Sequence, residues 1–352
     1  MDTLTHALSG ALLARAIAPA TRQPEAPPNW QRITLCAVAA AFPDSDIIVN
    51  LFSPYHYLIH HRGATHSLLL WPLWALLLAG LAAWAFRSPN AWRTYAGVAA
   101  LGILAHIAGD LITSYGTMIW TPFSDARVAW GTTFIIDLWF SGIILAGLFA
   151  SIAWKQSRVP AVMACIALLG YLGLQAHWRA QAIDVGEQHA REAGISGATV
   201  TVQSGPVLPT NWMVVVEKEG HYQHAYVNLT RREILADPGP EGAFIARLNA
   251  PFNPRDLAIW HKSALYGMGS DDEPFAREAW VRPEFKFFHW FAQYPVLLRV
   301  EREAGSRCAW FQDQRFVREG SAFNPFRFGM CQDAKGTWTR HRMVGDKGRE
   351  VF

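Results

Sequence analysis

Hydrophobic and polar residues are spread very unevenly along this chain. Thr5 to Ile17 predicts a short helix with His6 near its start. Pro19 to Asn29 is proline-rich and reads as a loop. Ile33 to Phe42 is a second apolar run, ended by Pro43 and followed by Asp44 and Asp46. Ser53 to Thr65 is polar and carries His56, His60 and His61, with His66 just beyond. Ser67 to Phe86 then supplies twenty residues without a charge, enough for a helix to cross a bilayer. Thr94 to Phe123 is a second long run, interrupted by His106 and Asp110; Val128 to Trp154 holds one charge, Asp137; Val159 to Trp178 holds none. Four such runs in succession predict at least four membrane-spanning helices, with the two shorter N-terminal helices spanning, re-entrant or interfacial.

The pattern changes after Trp178. Ala198–Gln203, Trp212–Glu217, Tyr222–Leu229, Val296–Val300 and Trp310–Phe316 are short β-branched and aromatic runs separated by Gly, Pro and Asn, which predicts strands. A helix is expected around Asp256–Tyr266, and the aromatic stretch Phe285–Tyr294 reads as core. The expected fold class is a mainly α membrane domain, residues 1–178, followed by a smaller mostly β (α+β) domain, residues 179–352. A length of 352 residues accommodates both. The net charge of +3 gives no reason to expect direct nucleic-acid binding, and membrane lipids are the natural partners. The N-terminus carries Asp2 and His6 where a signal peptide would carry basic residues, so no cleavable signal is expected.

Charge also sets an expected orientation. If each helix reverses direction, Arg15, Arg22, Arg32, Arg87, Arg93, Lys155 and Arg158 fall on one side, and Arg62 and Arg127 on the other. The basic side should be cytoplasmic. The histidine-rich segment, the end of the Asp110 run and residues 179–352 are then extracytoplasmic. In that compartment Cys308 and Cys331 could pair, while Cys36 and Cys165, in apolar helices, read as small buried hydrophobes.

The candidate chemistry lies in the apolar half. His106 and Asp110 are four apart, so a helix presents both on one face. An ionisable pair within an apolar run is costly and usually faces a polar interior. Alone, it could be a helix-stabilising hydrogen bond. His6 alone reads as a solvated or capping residue, Asp44 as a turn residue, His61 and His66 as caps around a glycine turn. His56 and His60 read as surface residues at the membrane interface. Asp137 is either an acid that orients a ligand histidine or a structural carboxylate. Together, His6, Asp44, His61, His66, His106 and Asp110 form a candidate metal-ligand set. Asp110 is the candidate bridge if two ions bind, and Asp46, Arg62 and Asp137 are candidate catalytic groups.

The motifs M-D-x-L-T-H-A-L-x-G, F-P-D-x-D, H-R-G-x-T-H-S and A-H-I-x-x-D resemble those of the YdjM-like family. That family is described as LexA-binding, inner-membrane-associated and metal-dependent in hydrolysis. The resemblance is close over residues 1–150 and weaker over 179–352. The family is in turn distantly similar to zinc-dependent phospholipase C, an all-helical multi-zinc enzyme. There a His, an Asp, a second His and a His-x-x-x-Asp bind metal in that chain order. The matching residues here are His6, Asp44 or Asp46, His61 or His66, and then His106 with Asp110. The second zinc-binding His-x-x-x-Glu helix of that enzyme has no counterpart here, so the resemblance implies one or two ions and not three.

What the resemblance implies is a multi-pass protein of the bacterial inner membrane that takes one or two Zn2+ ions or another divalent metal. It implies hydrolysis by a metal-activated water, with a phosphoester in a lipid or amphiphilic substrate as the expected target. Asp44 or Asp46 would act as ligand or base, and Arg62 would bind phosphate charge. Two rival readings are a non-enzymatic membrane protein with a structural metal site and a regulator or adaptor linked to a LexA-like partner.

Overall fold

The computed structural model describes residues 1–19, 26–269, 271–303, 305–317, 324–345 and 348–352; Arg22 lies outside them. The chain forms two compact units, one of Met1–Arg179 with Ser204–Pro209, the other of Ala180–Gln203 with Thr210–Phe352.

The first unit is helical. α1 (Thr3–Ala16) starts because Asp2 accepts a hydrogen bond from Thr5 N, satisfying one of the donors a helix start leaves unpaired. α2 (Asn29–Ala41) passes directly into a 3-10 stretch, Phe42–Leu51, with Pro43 in its first turn. α3 (Pro54–His60) and a 3-10 turn, Ala64–His66, lead into α4 (Trp71–Ala85). α5 (Trp92–Leu111), α6 (Leu138–Ala153) and α7 (Val159–Glu192) follow, α7 continuing into the second unit. Among the described residues, three helical stretches are long and apolar enough to cross a membrane: Asn29–Leu51, Pro89–Leu111 and Val159–Glu192. The pair Pro54–His66 and Trp71–Ala85 makes a fourth if its 77° bend is one broken span.

Two of the expected spans are shorter than their apolar runs. The run to Phe123 is helical only to Leu111. The run from Val128 becomes helical only at Leu138, where Asp137 caps the start by accepting from Trp139 N and Phe140 N, both at 2.9 Å. Between them, residues 112–137 form an irregular return loop. Buried backbone groups need partners, and several in this loop have them. Trp130 N donates to the Leu111 carbonyl, Thr132 N and Thr133 N to that of Ile112, and Thr117 and Val128 form a two-way bridge.

Small residues let the helices approach. A Cβ on Gly10 or Gly102 would lie 2.4 or 2.7 Å from the Cys36 carbonyl oxygen, so both α1 and α5 lean on the same stretch of α2. Leu35, Cys36, Ala39, Ala79, Val98, Ala99, Ile103 and Ile107 fill the core around that contact.

The second unit holds two five-stranded sheets. β1 (Thr199–Ser204), β2 (Asn211–Lys218), β3 (His221–Asn228), β4 (Asn253–Pro254) and β5 (His261–Ala264) form the first; β5 runs antiparallel to β3, and β4 makes a short parallel pairing with it. The helix expected around Asp256–Tyr266 is absent. His261 pairs across β3 with His224, and Ala264 with His221, so a long-range ladder overrides the local preference. β6 (Pro295–Glu303), β7 (Ser306–Asp313), β8 (Arg327–Gln332), β9 (Trp338–Val344) and β10 (Gly348–Val351) form an antiparallel meander. Helices α8 (Phe244–Asn249), α9 (Glu273–Trp280) and α10 (Lys286–Phe291) lie in this unit. Phe285, Phe288, Phe311 and Phe328 are buried together, so the aromatic stretch is core. Cys308 and Cys331 face each other across β7 and β8 and are disulfide-bonded, with Cα atoms 4.0 Å apart. Cys36 and Cys165 are free thiols, the first buried.

Candidate metal centre

Four residues bring ligand atoms within 4.8 Å of one another: Asp44, His66, His106 and Asp110. They come from three places. Asp44 sits in the first turn of the 3-10 stretch that ends α2. His66 ends the 3-10 turn before α4. His106 and Asp110 share one face of α5, as their spacing requires. His66, His106 and Asp110 are fully buried, whereas the Asp44 side chain keeps 15% exposure and forms the open edge.

The donor geometry suits a small cation. His66 Nε2 lies 2.9 Å from His106 Nε2 and 3.2 Å from Asp110 Oδ2. His106 Nε2 lies 3.5 Å from Asp110 Oδ2 and 3.6 Å from Asp44 Oδ1. A tetrahedral shell with bonds of roughly 2.0–2.1 Å has edges of about 3.3 Å, close to this spacing. Tautomers point the same way. His106 Nδ1 lies 2.6 Å from the Ala40 carbonyl, which can only accept, so the proton is there and Nε2 presents its lone pair. His66 Nδ1 faces Thr65 Oγ1 at 3.0 Å and Asp46 Oδ2 at 3.9 Å. Two ring nitrogens 2.9 Å apart need a proton or a cation between them. Asp110 Oδ2 is buried and receives no hydrogen bond, an orphan acceptor beside those two nitrogens. The residues present therefore fit a divalent metal.

The other expected ligands stand one layer out. His6 stacks on His106 with ring centroids 3.7 Å apart and meets Asp110 through the other oxygen, Oδ1, at 3.2 Å. The Met1 amino group also meets Oδ1. His61 is held by Asp46, whose two oxygens lie 3.0 and 3.1 Å from His61 Nδ1, and its ring is 6.2 Å from that of His66. Asp46 also accepts from Arg62 N at 3.0 Å, so it positions the His61–Arg62 turn. Arg62 does not stand open to a phosphate. Its Nη2 is 2.9 Å from Asp110 Oδ1 and its Nη1 donates to Thr113 Oγ1. Asp137 is the cap of α6 and accepts from Tyr171 Oη at 2.7 Å, so its polar contacts run to α6 and α7 rather than to a ligand histidine. His56 bonds to Ser53 on the partly exposed α3.

Sequence reasoning missed Thr3 and Thr65. Thr3 Oγ1 donates to Asp44 Oδ2 at 2.6 Å, and Thr65 Oγ1 meets His66 Nδ1. Each precedes a candidate histidine by one or three residues, the signal that could have flagged them. Beyond the open edge, Ile47, Ile48, Leu51 and Phe52 are exposed, the last two by more than 80%.

Fold and site define a membrane protein whose helical unit holds a two-histidine, two-aspartate centre, buried except at Asp44. Residues 1–182 match the family described as YdjM inner membrane protein, and this chain belongs to that family. It is similar to a protein of Bacillus subtilis (strain 168) named "Uncharacterized protein YfhP", 26% identical over 176 residues, 49% of this chain and 52% of that one. The chain thus spans about half the length of this relative. No solved structure matches it.

Proposed function

We propose that this protein is a membrane-bound metal-dependent hydrolase that cleaves a phosphoester in a lipid or amphiphilic substrate, with zinc as the metal. The observation that carries the reading is the convergence of two imidazole nitrogens and two carboxylates, one of whose oxygens is buried with no hydrogen bond. Asp44, His66, His106 and Asp110 would hold the ion. A divalent ion so held acidifies water and polarises a phosphoryl oxygen. Around it, the protein's own groups have separate tasks. Ala40 and Thr65 orient the two histidines. Asp46 fixes the proton of His61 at Nδ1, leaving Nε2 as the acceptor nitrogen for a proton from the reacting water. Asp44, at the exposed edge, faces the direction of approach, and the apolar residues 47–52 beside it suit a substrate with a hydrocarbon tail. The bias of basic residues supports an extracytoplasmic position for this edge.

A structural metal site is the second reading. Four protein donors can close a tetrahedral shell, the pattern of structural zinc. Full-length protein in detergent should be analysed for metal and screened against phospholipids and soluble phosphoesters, wild type beside His106→Ala and Asp110→Ala. The hydrolase reading expects bound zinc, turnover of one substrate class and loss of both in each variant. Bound zinc with no turnover across the screen would leave the structural reading standing. Equal metal content in wild type and both variants would sink the site itself. For orientation, a reporter after Trp178 should read as extracytoplasmic and one within Arg87–Arg93 as cytoplasmic; the reverse pattern would overturn it.

A further inference from the structure

We infer that Arg62 is a built-in cation that occupies the side of Asp110 where a second metal ion would bind, so that the centre takes a single divalent ion. This rests on the metal-site reading above.

The two oxygens of Asp110 face different surroundings. Oδ2 turns toward His66 and His106 and receives no hydrogen bond. Oδ1 is met by Arg62 Nη2 at 2.9 Å, by His6 Nε2 at 3.2 Å and by the Met1 amino group. A carboxylate that bridges two ions through its two oxygens needs both of them free, and here one is committed to a guanidinium. That guanidinium is fixed. Its side chain is 3% exposed, it donates to Thr113 Oγ1 at 3.2 Å, and it lies over the Tyr115 ring, 4.8 Å from the centroid. An arginine does not shed its proton in a protein, so a second dication would stand against a permanent positive charge.

The backbone at Arg62 adds an independent observation. Its φ is +62°, the left-handed region that suits glycine and is uncommon for a long side chain. Two hydrogen bonds hold it there: Arg62 N donates to Asp46 Oδ2 at 3.0 Å, and Met118 N donates to the Arg62 carbonyl at 2.9 Å. A glycine, Gly63, stands next in the chain and does not take the left-handed position. An outlier maintained from both sides, whose side chain reaches a ligand carboxylate, fits strain held for a functional reason. His6 follows from the same geometry as a positioning residue that steadies Asp110, not as a ligand.

The test is a count of ions. Full-length protein in detergent is loaded with excess zinc, passed through gel filtration and measured by elemental analysis. Wild type should hold one zinc per chain. Arg62→Lys, which keeps the charge, should also hold one. Arg62→Ala removes the guanidinium from Oδ1, leaving the Met1 amino group and His6 there, and its count should rise above one in zinc excess. Two zinc ions per wild-type chain would overturn the inference and leave the metal site intact. No zinc in wild type would overturn both. A folded Arg62→Ala that stays at one would also reject it, because the charge would then not be what excludes the second ion. Should Arg62→Ala fail to fold, the counts for wild type and Arg62→Lys decide.

Discussion

The two units are built from opposite materials. In the helical unit the tightest contacts are made by what is missing: Gly10, Gly102 and Gly147 let helices touch at distances that a single Cβ would block. In the β-rich unit the interior is made of large rings, with Phe285, Phe288, Phe311, Phe328, Trp212 and Trp310 almost fully buried. The solvent explains the difference. Lipid tails are as apolar as leucine, so helices in a bilayer gain little by burying bulk and associate through close contact. In water, removing large apolar surface is the dominant gain. Buried polar groups differ in the same way. In the helical unit His6, Arg62, His66, His106 and Asp110 converge on one centre, because a buried ionisable group needs a partner. In the β-rich unit they settle locally, as Asn228 does between Thr210 and Asn211.

If that contrast is right, one unit is broken by removing atoms and the other by adding them. The largest stability effect should come from Phe288→Ala, which leaves a ring-sized cavity and should cost about 3–5 kcal/mol. Calorimetry of the full chain should show the loss with bound metal unchanged; a cost below about 1 kcal/mol would mean the ring cluster is not the core of that unit. Reduction of Cys308–Cys331, which closes a loop of 23 residues, should cost about 3 kcal/mol. Thiol labelling of denatured, unreduced protein should find two free sulfurs, and four would reject the bridge.

An effect of similar kind depends on pH. Burial, and then the neighbouring His261, hold the His224 imidazole down to about 4. The unfolded chain, near 6.5, binds the proton more readily. Stability from this residue is therefore complete above about pH 6.5 and is lost as pH falls toward 4, with about 2 kcal/mol gone by about pH 5. His224→Leu should flatten that part of the melting-temperature profile; an unchanged profile would remove His224 from the account.

In the helical unit the expected break is an addition. Gly102→Ala should cost roughly 1–3 kcal/mol and lower metal content, because it pushes α5, the carrier of His106, away from α2. Gly80→Ala, where an added Cβ meets nothing within 4 Å, is the control and should be neutral or slightly stabilising. Equal behaviour of the two would mean that close helix contact is not what holds this unit. The smallest change is Thr65→Val, which removes one partner of His66 Nδ1 and should weaken zinc binding about tenfold with little effect on melting.

The parts of this architecture that were legible in the sequence are those set by local spacing. His106-x-x-x-Asp110 could be placed on one helix face, and the alternating runs after Trp178 could be read as strands, because each depends on a few consecutive residues. Asp44 and His66 were legible only as members of pairs. What separates His66 from His61 is a 3-10 turn that sends one ring inward, while the other caps α3 and meets Asp46. No spacing rule encodes that. Hydropathy also misjudged the helix ends at Leu111 and Leu138, since an apolar run looks the same whether its backbone is coiled or folded back. Asp137 was visible as a charge, but its job as a cap emerged only with Trp139 and Phe140 in place. Strand β5 was lost to a helix reading because its partner, β3, lies far away in the chain.

The exposed apolar shelf from Ile47 to Phe52, beside the one partly open ligand, has a kinetic consequence under the proposed function. A substrate that arrives across such a doorstep is sampled from the surface on which it floats. Its effective concentration is then a mole fraction among neighbouring lipids, not a quantity per litre. Diluting the substrate with inert detergent at constant bulk amount should slow turnover, while enlarging the water volume around the same micelles should leave it unchanged.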